Sequence, residues 1–438
     1  MIQEKIERKL LDFRELSFPE YTKRNGIIKE AAQMVSAITG ARRAGKSIRA
    51  LQVADEAILL RKIPDKNHIC YLDFDNPILA RIQPEELKLI QIQFLKINQG
   101  FTLKTPLLFI FDEIHKISGW EEYVIELSRN SLWKVYVTGS SSKMLREDLS
   151  TSLRGKALST VIYPFDFREF MLNKGTAEIS NSTSGIAQIK RLFDEYLLWG
   201  AFPAVAGTDE IVKEALLREY FDAMLLKDII ERYNVSKPKQ CIYLLRYLLS
   251  YISKPFTSNS AYEALKSAGF STSKDSVHDY LEWAEDSFFC YRISVFSESI
   301  KEHSRNYSKI YCVDWALANI NNWVWDGTLS RSLENLVYIQ LRRQGYKVHY
   351  YLTREKRQEI DFIVTNQKGE IIHLIQVCYS FTDDNVLKRE LEPLKTAMKY
   401  FNLKESFMIT ADTENEWTVE NGMIKVLPAW RWMLDSGI

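Results

Sequence analysis

Gly40-Ala41-Arg42-Arg43-Ala44-Gly45-Lys46-Ser47 satisfies every constrained position of the pattern G-x-x-x-x-G-K-[ST]. The mostly apolar run Met34 to Thr39 precedes it and predicts a strand. Behind it, Ile48, Leu51, Val53, Ala54, Ile58 and Leu59 recur at helical spacing and predict a helix over 48–61. Strand, glycine-bounded loop and helix is the context in which such a loop wraps an anion. Glycines let the backbone N–H groups of Gly40 to Ser47 turn inward, and the helix presents its positive N-terminus. In that arrangement Lys46 reaches the β- and γ-phosphates of a nucleotide, and the Ser47 hydroxyl sits on Mg²⁺.

A second signature follows at the expected distance. Pro106-Leu107-Leu108-Phe109-Ile110-Phe111-Asp112-Glu113 contains five consecutive large apolar residues, which predicts a strand buried on both faces of a parallel sheet. Its C-terminal end, where α/β sheets bind ligands, carries two carboxylates. Asp112 is expected to hold Mg²⁺ through water, and Glu113 to polarise the attacking water. Leu132 to Ser142 reads as the next strand and a serine-rich turn. Ser140 is the residue chosen to touch the γ-phosphate or align the water, with Thr138 the alternative and a helix-capping turn the plainer reading. Asp73 and Asp75, at the end of a strand over 68–75, are either site carboxylates or polar strand ends.

The bulk properties set limits. A chain of 438 residues has room for two or three domains. Lys+Arg total 58 and Asp+Glu 57, so the net charge of +1 names no partner, and any nucleic-acid surface has to be a local patch. The cysteines Cys70, Cys241, Cys290, Cys312 and Cys378 are scattered without C-x-x-C spacing, which argues against a zinc site or a disulfide framework. The charged start, Met1 to Lys9, does not read as a signal peptide, and no apolar run approaches the ~20 residues of a membrane span. A reducing cytoplasm and no membrane partner are the expectation.

Strands and helices alternate through the strand and turn over 132–142, predicting a parallel α/β sheet behind a charged, helical lead-in over 2–24, and the pattern changes from about residue 185. Then 189–199, 210–231 and 239–252 read as helices, and the low-complexity patch Ile179 to Gly185 as a loop. Helix, turn and helix over 258–286, followed by a strand over 288–295, suggest a winged helix. A helix over 333–344, strands over 347–351, 360–365 and 371–378, a helix over 386–401 and a strand over 406–410 form a last unit.

Taken together the chain resembles the prokaryotic AAA+-type ATPases that carry a C-terminal domain similar to restriction endonucleases. The resemblance rests on the loop with its paired Arg42-Arg43, on Phe111-Asp112-Glu113-Ile114-His115, and on Val137-Thr138-Gly139-Ser140-Ser141. It extends to Leu153-Arg154-Gly155-Lys156, Pro164-Phe165-Asp166-Phe167-Arg168-Glu169-Phe170, Gly200-Ala201-Phe202-Pro203, Glu359-Ile360-Asp361-Phe362 and Pro428-Ala429-Trp430. It implies a P-loop NTPase domain over 1–178, a helical lid with a winged helix over 179–328, and a small α/β nuclease-like domain over 329–438. ATP and Mg²⁺ are the implied cofactors. Arg154 is the candidate arginine finger, acting across a subunit boundary in a homo-oligomer, or else an ordinary structural arginine.

Two expected activities meet resistance in the residues themselves. In the nuclease-like domain Asp361 supplies the first acid and Glu334 a further ligand, but the next strand reads Gln376-Val377-Cys378 where an acid and a lysine belong. A hard cation prefers carboxylate oxygens, so hydrolysis there needs Glu359 or Glu370 to substitute. The would-be recognition helix over 273–286 sets Lys274 against Asp275, Asp279, Glu282, Glu285 and Asp286, which repels a phosphate backbone. Arg342, Arg343 and Lys347, and Lys301, Arg305 and Lys309, form more basic stretches. The leading reading is an Mg²⁺-dependent ATPase whose cycle moves its C-terminal domains, with DNA or a protein as partner. A low-turnover nucleotide-gated switch is the second reading, and an ATP-regulated nuclease the third.

Overall fold

The strand expected over 106–113 is Leu107–Asp112, buried along its whole length. The computed structural model of the chain describes residues 2–141, 153, 155–176, 180–297, 307–321, 328–354, 357–381 and 384–435. They form two compact units, Met1–Tyr163 and Pro164–Ile438.

In the first unit the strands are β1 (Val35–Thr39), β2 (Ile69–Asp73), β3 (Leu107–Asp112), β4 (Trp133–Gly139) and β5 (Ala157–Val161). They make one parallel sheet in the order β2-β3-β4-β1-β5. Alternation along β3 divides the core. Leu107, Phe109 and Phe111 face a layer that includes α1 (Ile2–Glu15), through Ile6 and Leu10. Leu108 and Ile110 face α2 (Lys46–Leu59), through Ala50, Val53 and Ala54. Because β4 lies between β1 and β3, the phosphate loop after β1 and the acidic pair after β3 flank the same strand end. The edge strand β5 was not expected: its five residues are all half-buried, so no apolar run or alternation marks it.

The second unit begins with the Pro164–Phe170 run, and its spacing has a physical reason. Asp166 caps the helix Phe167–Asn173 by accepting from the Glu169 N–H at 2.7 Å, and Glu169 Oε2 accepts from the Asp166 N–H at 3.0 Å. Phe167 and Phe170 then pack on Tyr196, with ring centroids 5.4 and 5.1 Å apart. In Gly200-Ala201-Phe202-Pro203, Gly200 has φ +77° and a Cβ there would lie 2.0 Å from Asp314 Oδ1. The buried Asp314 accepts from the Ala201 and Ala316 N–H groups at 2.8 and 3.0 Å.

The helices Pro238–Ser250, Ser258–Ser267 and Lys274–Asp286 accompany a small antiparallel sheet of order β6-β8-β7. Its strands are β6 (Pro255–Phe256), β7 (Cys290–Ser294) and β8 (Ser308–Cys312). A larger sheet has the order β13-β14-β12-β11-β10-β9. Its members are β9 (Lys347–Leu352), β10 (Glu359–Thr365), β11 (Ile371–Val377), β12 (Glu405–Thr410), β13 (Asn415–Val419) and β14 (Gly422–Pro428). β11, β12 and β14 run parallel, and the remaining pairings are antiparallel. Helix Asp384–Phe401 covers one face through Leu394, Ala397 and Met398. Helix Thr328–Arg343 approaches the other, with Tyr338 stacked on Phe362. Among the described residues no helix is long and apolar enough to cross a membrane.

Candidate nucleotide site and a buried carboxylate cluster

The loop after β1 is built by backbone conformation. Gly40 has φ +145°, and a Cβ there would meet the Ile162 carbonyl oxygen at 2.1 Å. Gly45 has φ +99° and stands immediately before α2. Both are conformations that glycine adopts at little cost. Ala41 and Ala44 are buried, Arg42 is half-buried and Arg43, at φ +65°, is exposed. The helix begins at Lys46, two residues earlier than expected, so Lys46 and Ser47 lie in its positive first turn. Lys46 is only 4 % exposed; its Nζ donates to the Ala41 carbonyl at 3.1 Å and lies 3.6 Å from Glu113 Oε1.

The acidic pair gathers around β4. Asp112 accepts hydrogen bonds from the Thr138 hydroxyl, from Tyr71 Oη at 3.1 Å and from Ser47. Burial nevertheless pushes its carboxyl above the ordinary range, and the neighbouring charge of Glu113 adds to this. Glu113 turns off the strand at φ +52°, and its N–H donates to Thr138 Oγ1 at 2.9 Å. His115 Nδ1 lies 3.3 Å from its second oxygen. Asp73 stands opposite Asp112 in the strand register. Burial and the charges of Asp112 and Glu113 raise its carboxyl to about 6, against the pull of Lys116. Asp75 pairs instead with Lys116. Ser140 is buried two residues beyond Thr138. Arg154 lies outside the described residues.

The donor set suits a hard cation. Ser47 and Asp112, the two expected ligands, are already hydrogen-bonded to each other, and a cation there would offset the excess of carboxylate charge. Among the described residues no three His, Cys, Asp or Glu side chains form a protein-only cage. Magnesium on a nucleotide takes only one or two protein ligands, with phosphate and water supplying the rest. Residues 32–171 match a family model described as an AAA domain. Residues 190–323 and 329–432 match two further models, each described as a domain of unknown function. An uncharacterized protein of Methanocaldococcus jannaschii is 29% identical over 423 residues, covering 93% of this chain and 90% of its own. An uncharacterized protein of Haemophilus influenzae is 27% identical over 387 residues, covering 85% and 90%. Among solved structures, the Walker-type ATPase of Pyrococcus abyssi is similar with a TM-score of 0.41 and 14% identity, covering 73% of this chain and 95% of its own. Cdc6p of Pyrobaculum aerophilum gives a TM-score of 0.27 at 11% identity, covering 68% and 87%.

Tyr71 escaped the sequence reading of the nucleotide site, and His115 entered it only as part of a motif, without a role. Strand alternation does not say which tyrosine reaches across to β3.

In the second unit the acids Glu334, Glu359 and Asp361 do meet, around a residue sequence reasoning had assigned only to a basic stretch. Lys309 Nζ lies 2.8 Å from Glu334, 2.6 Å from Glu359 and 3.0 Å from Asp361, and the side chain is 1 % exposed. Three ammonium donors face three carboxylates. Burial works against the Lys309 charge, but Glu334, Tyr311, Asp361 and Glu359 outweigh it and hold the ammonium well above its usual value. Burial and the nearby Asp361 raise the Glu334 carboxyl, as expected where three acids share one cation. Gln376 accepts from the Asp361 N–H at 3.3 Å and donates to Glu390 at 2.7 Å. Glu370 is elsewhere, accepting from Asn366 Nδ2 at 2.6 Å. Cys378 is buried, its thiol directed to the Ser380 carbonyl. In helix Lys274–Asp286, Glu285 pairs with Arg292 and Asp286 accepts from Tyr233; Asp275, Asp279 and Glu282 are exposed.

Proposed function

We propose that the chain is an AAA+-type ATPase that binds ATP with Mg²⁺ over residues 1–178 and uses hydrolysis to move the segments 179–328 and 329–438. One observation carries the reading: Lys46, Ser47, Asp112, Glu113 and Thr138 converge at the C-terminal edge of one parallel sheet, behind a loop that only glycine can close. The AAA match over the same region supports it.

The inward N–H groups of Gly40 to Ser47 and the N-terminus of α2 receive the phosphates. Lys46 exchanges the Ala41 carbonyl and Glu113 for phosphate oxygens, which frees the Glu113 carboxylate to orient water. Thr138 holds the Glu113 backbone so that its side chain points off the strand. Ser47 and Asp112 would hold magnesium, which when bound neutralises charge on the phosphates. Ser140 is proposed to align the water, and Arg154, from a second copy of the chain, to stabilise the transferring phosphoryl group. The segments 179–328 and 329–438 are read as a lid with a winged helix and a nuclease-like fold. Lys309, which belongs to the former segment, takes up the carboxylates of the latter on which a nuclease metal would depend.

The low-turnover reading draws on the Lys46–Glu113 pair, which ties two catalytic groups to each other. Steady-state hydrolysis decides between them. Lys46→Ala should abolish turnover, and Glu113→Gln should lose about a hundredfold or more while still binding ATP. Wild-type turnover in Glu113→Gln would refute the assignment.

A further inference from the structure

β7 and β8 pair antiparallel, with Cys290 directly opposite Cys312. Residues opposed in this way project to the same face of the sheet, so the two side chains are adjacent. Both are fully buried. The other three cysteines have no such counterpart. Cys70 stands beside Phe109 in the strand register, Cys241 lies in helix Pro238–Ser250, and Cys378 follows the end of β11.

Hydrogen bonding fixes the kind of opposed pair. The Cys312 N–H donates to Asn335 Oδ1 at 2.8 Å, and Asn335 Nδ2 donates to the Cys312 carbonyl at 3.0 Å. On the same edge of β8, the Ile310 carbonyl accepts from the Ser253 N–H at 2.8 Å. Both backbone groups of Cys312 therefore point away from β7. Cys290 and Cys312 are a non-hydrogen-bonded pair, the closer of the two kinds, for which Cα atoms stand about 4.5 Å apart. A disulfide spans Cα separations of roughly 4.4–6.8 Å. The bond is therefore within reach without shifting either strand. It requires rotation of the Cys312 side chain, whose thiol donates to the Asp314 carbonyl at 2.9 Å.

At rest the pair is protected. Burial holds both thiols well above their usual value, and the reactive form of cysteine is the thiolate. β7 is the edge strand of its three-stranded sheet, so its opening is a local event that admits water and a small oxidant. We propose that Cys290 and Cys312 are an oxidisable dithiol, which hydrogen peroxide converts through that opening into a cross-strand disulfide. One thiol, deprotonated on exposure, attacks a peroxide oxygen and breaks the O–O bond. The hydroxide that leaves takes up the lost proton as water, and the sulfur becomes a sulfenic acid. The second thiol attacks that sulfur, the S–S bond forms, and the sulfenic oxygen departs with the second proton as another water. Two electrons pass from the two sulfurs to the peroxide. Lys309 lies on the same strand as Cys312, so a covalent tie from β7 to β8 restricts the opening by which Lys309 leaves Glu334, Glu359 and Asp361. The proposal rests on the second unit alone and is independent of ATP hydrolysis.

The test treats the full folded chain with hydrogen peroxide, then denatures it and alkylates the remaining thiols with iodoacetamide. Intact mass should show three of the five cysteines alkylated, and dithiothreitol should restore all five. Peptide mapping should join the Cys290 peptide to the Cys312 peptide. Urea below the global unfolding transition should speed the reaction about tenfold or more, because opening limits it. Cys290→Ala and Cys312→Ala should each abolish the link. In the oxidised chain the amides of β7 and β8 should exchange about tenfold more slowly than in the reduced chain. Oxidation to sulfinic acid without a link, a link between any other pair, or a Cys290–Cys312 link that appears only when circular dichroism shows global unfolding would each overturn the proposal. The wild-type chain supplies this readout, so it stands even where an alanine variant fails to fold.

Discussion

The Thr138 hydroxyl touches both members of the acidic pair, receiving the Glu113 N–H and donating to Asp112. A valine would keep the shape and lose both contacts, leaving a buried N–H without its acceptor. Thr138→Val should therefore lower the kcat for ATP about tenfold with little change in KM, measured at steady state. Asp314 makes a different single-residue case. Burial raises its carboxyl from 3.8 to about 6, although backbone N–H groups of Ala201, Ala316 and Phe202 oppose the shift. The folded chain thus holds this proton more tightly than the unfolded chain. The stability it contributes is full below about pH 4 and is lost as pH rises through about 6. In urea titrations the advantage of wild type over Asp314→Asn should be larger at pH 5 than at pH 7.5.

At the scale of elements, the Asp166 capping box holds the helix Phe167–Asn173 at the start of the second unit. Asp166→Ala should cost about 1 kcal/mol of that unit's stability, read as a lower denaturant midpoint. Elements with a strong local signal were legible. The apolar run of β3 announced burial on both faces, and the glycines of the loop announced the turn before α2. Boundaries moved by a residue or two because the loop itself starts the helix at Lys46. The edge strand β5, the strand β8 and the β13–β14 hairpin were missed. Their residues are partly polar or half-exposed, and their strand character comes from neighbours that the local pattern does not name.

At the scale of the whole molecule, the convergence of the nucleotide-site residues was largely legible, and in the carboxylate cluster the acids were legible but their cation was not. Lys46, Ser47, Asp112 and Glu113 sit in motifs whose spacing is fixed by chemistry. Lys309, Glu334, Glu359 and Asp361 come from two sheets and a helix, and only the tertiary fold brings them together. The loss of an acid at Gln376 was readable; that an ammonium stands among the remaining acids was not. Lys309→Met should destabilise the second unit by about 3 kcal/mol, because the buried Asp361 and the half-buried Glu334 and Glu359 lose their counter-charge. Thermal denaturation should show that loss, and adding Glu334→Gln should restore part of it.

Lys309 is covalently part of the chain, so its occupancy among the carboxylates is independent of any concentration. No chelator can strip it and no cation-rich buffer can load it; it leaves only when β8 separates from β10. Backbone amides in those two strands should then exchange their hydrogens together, at the rate of that single opening event.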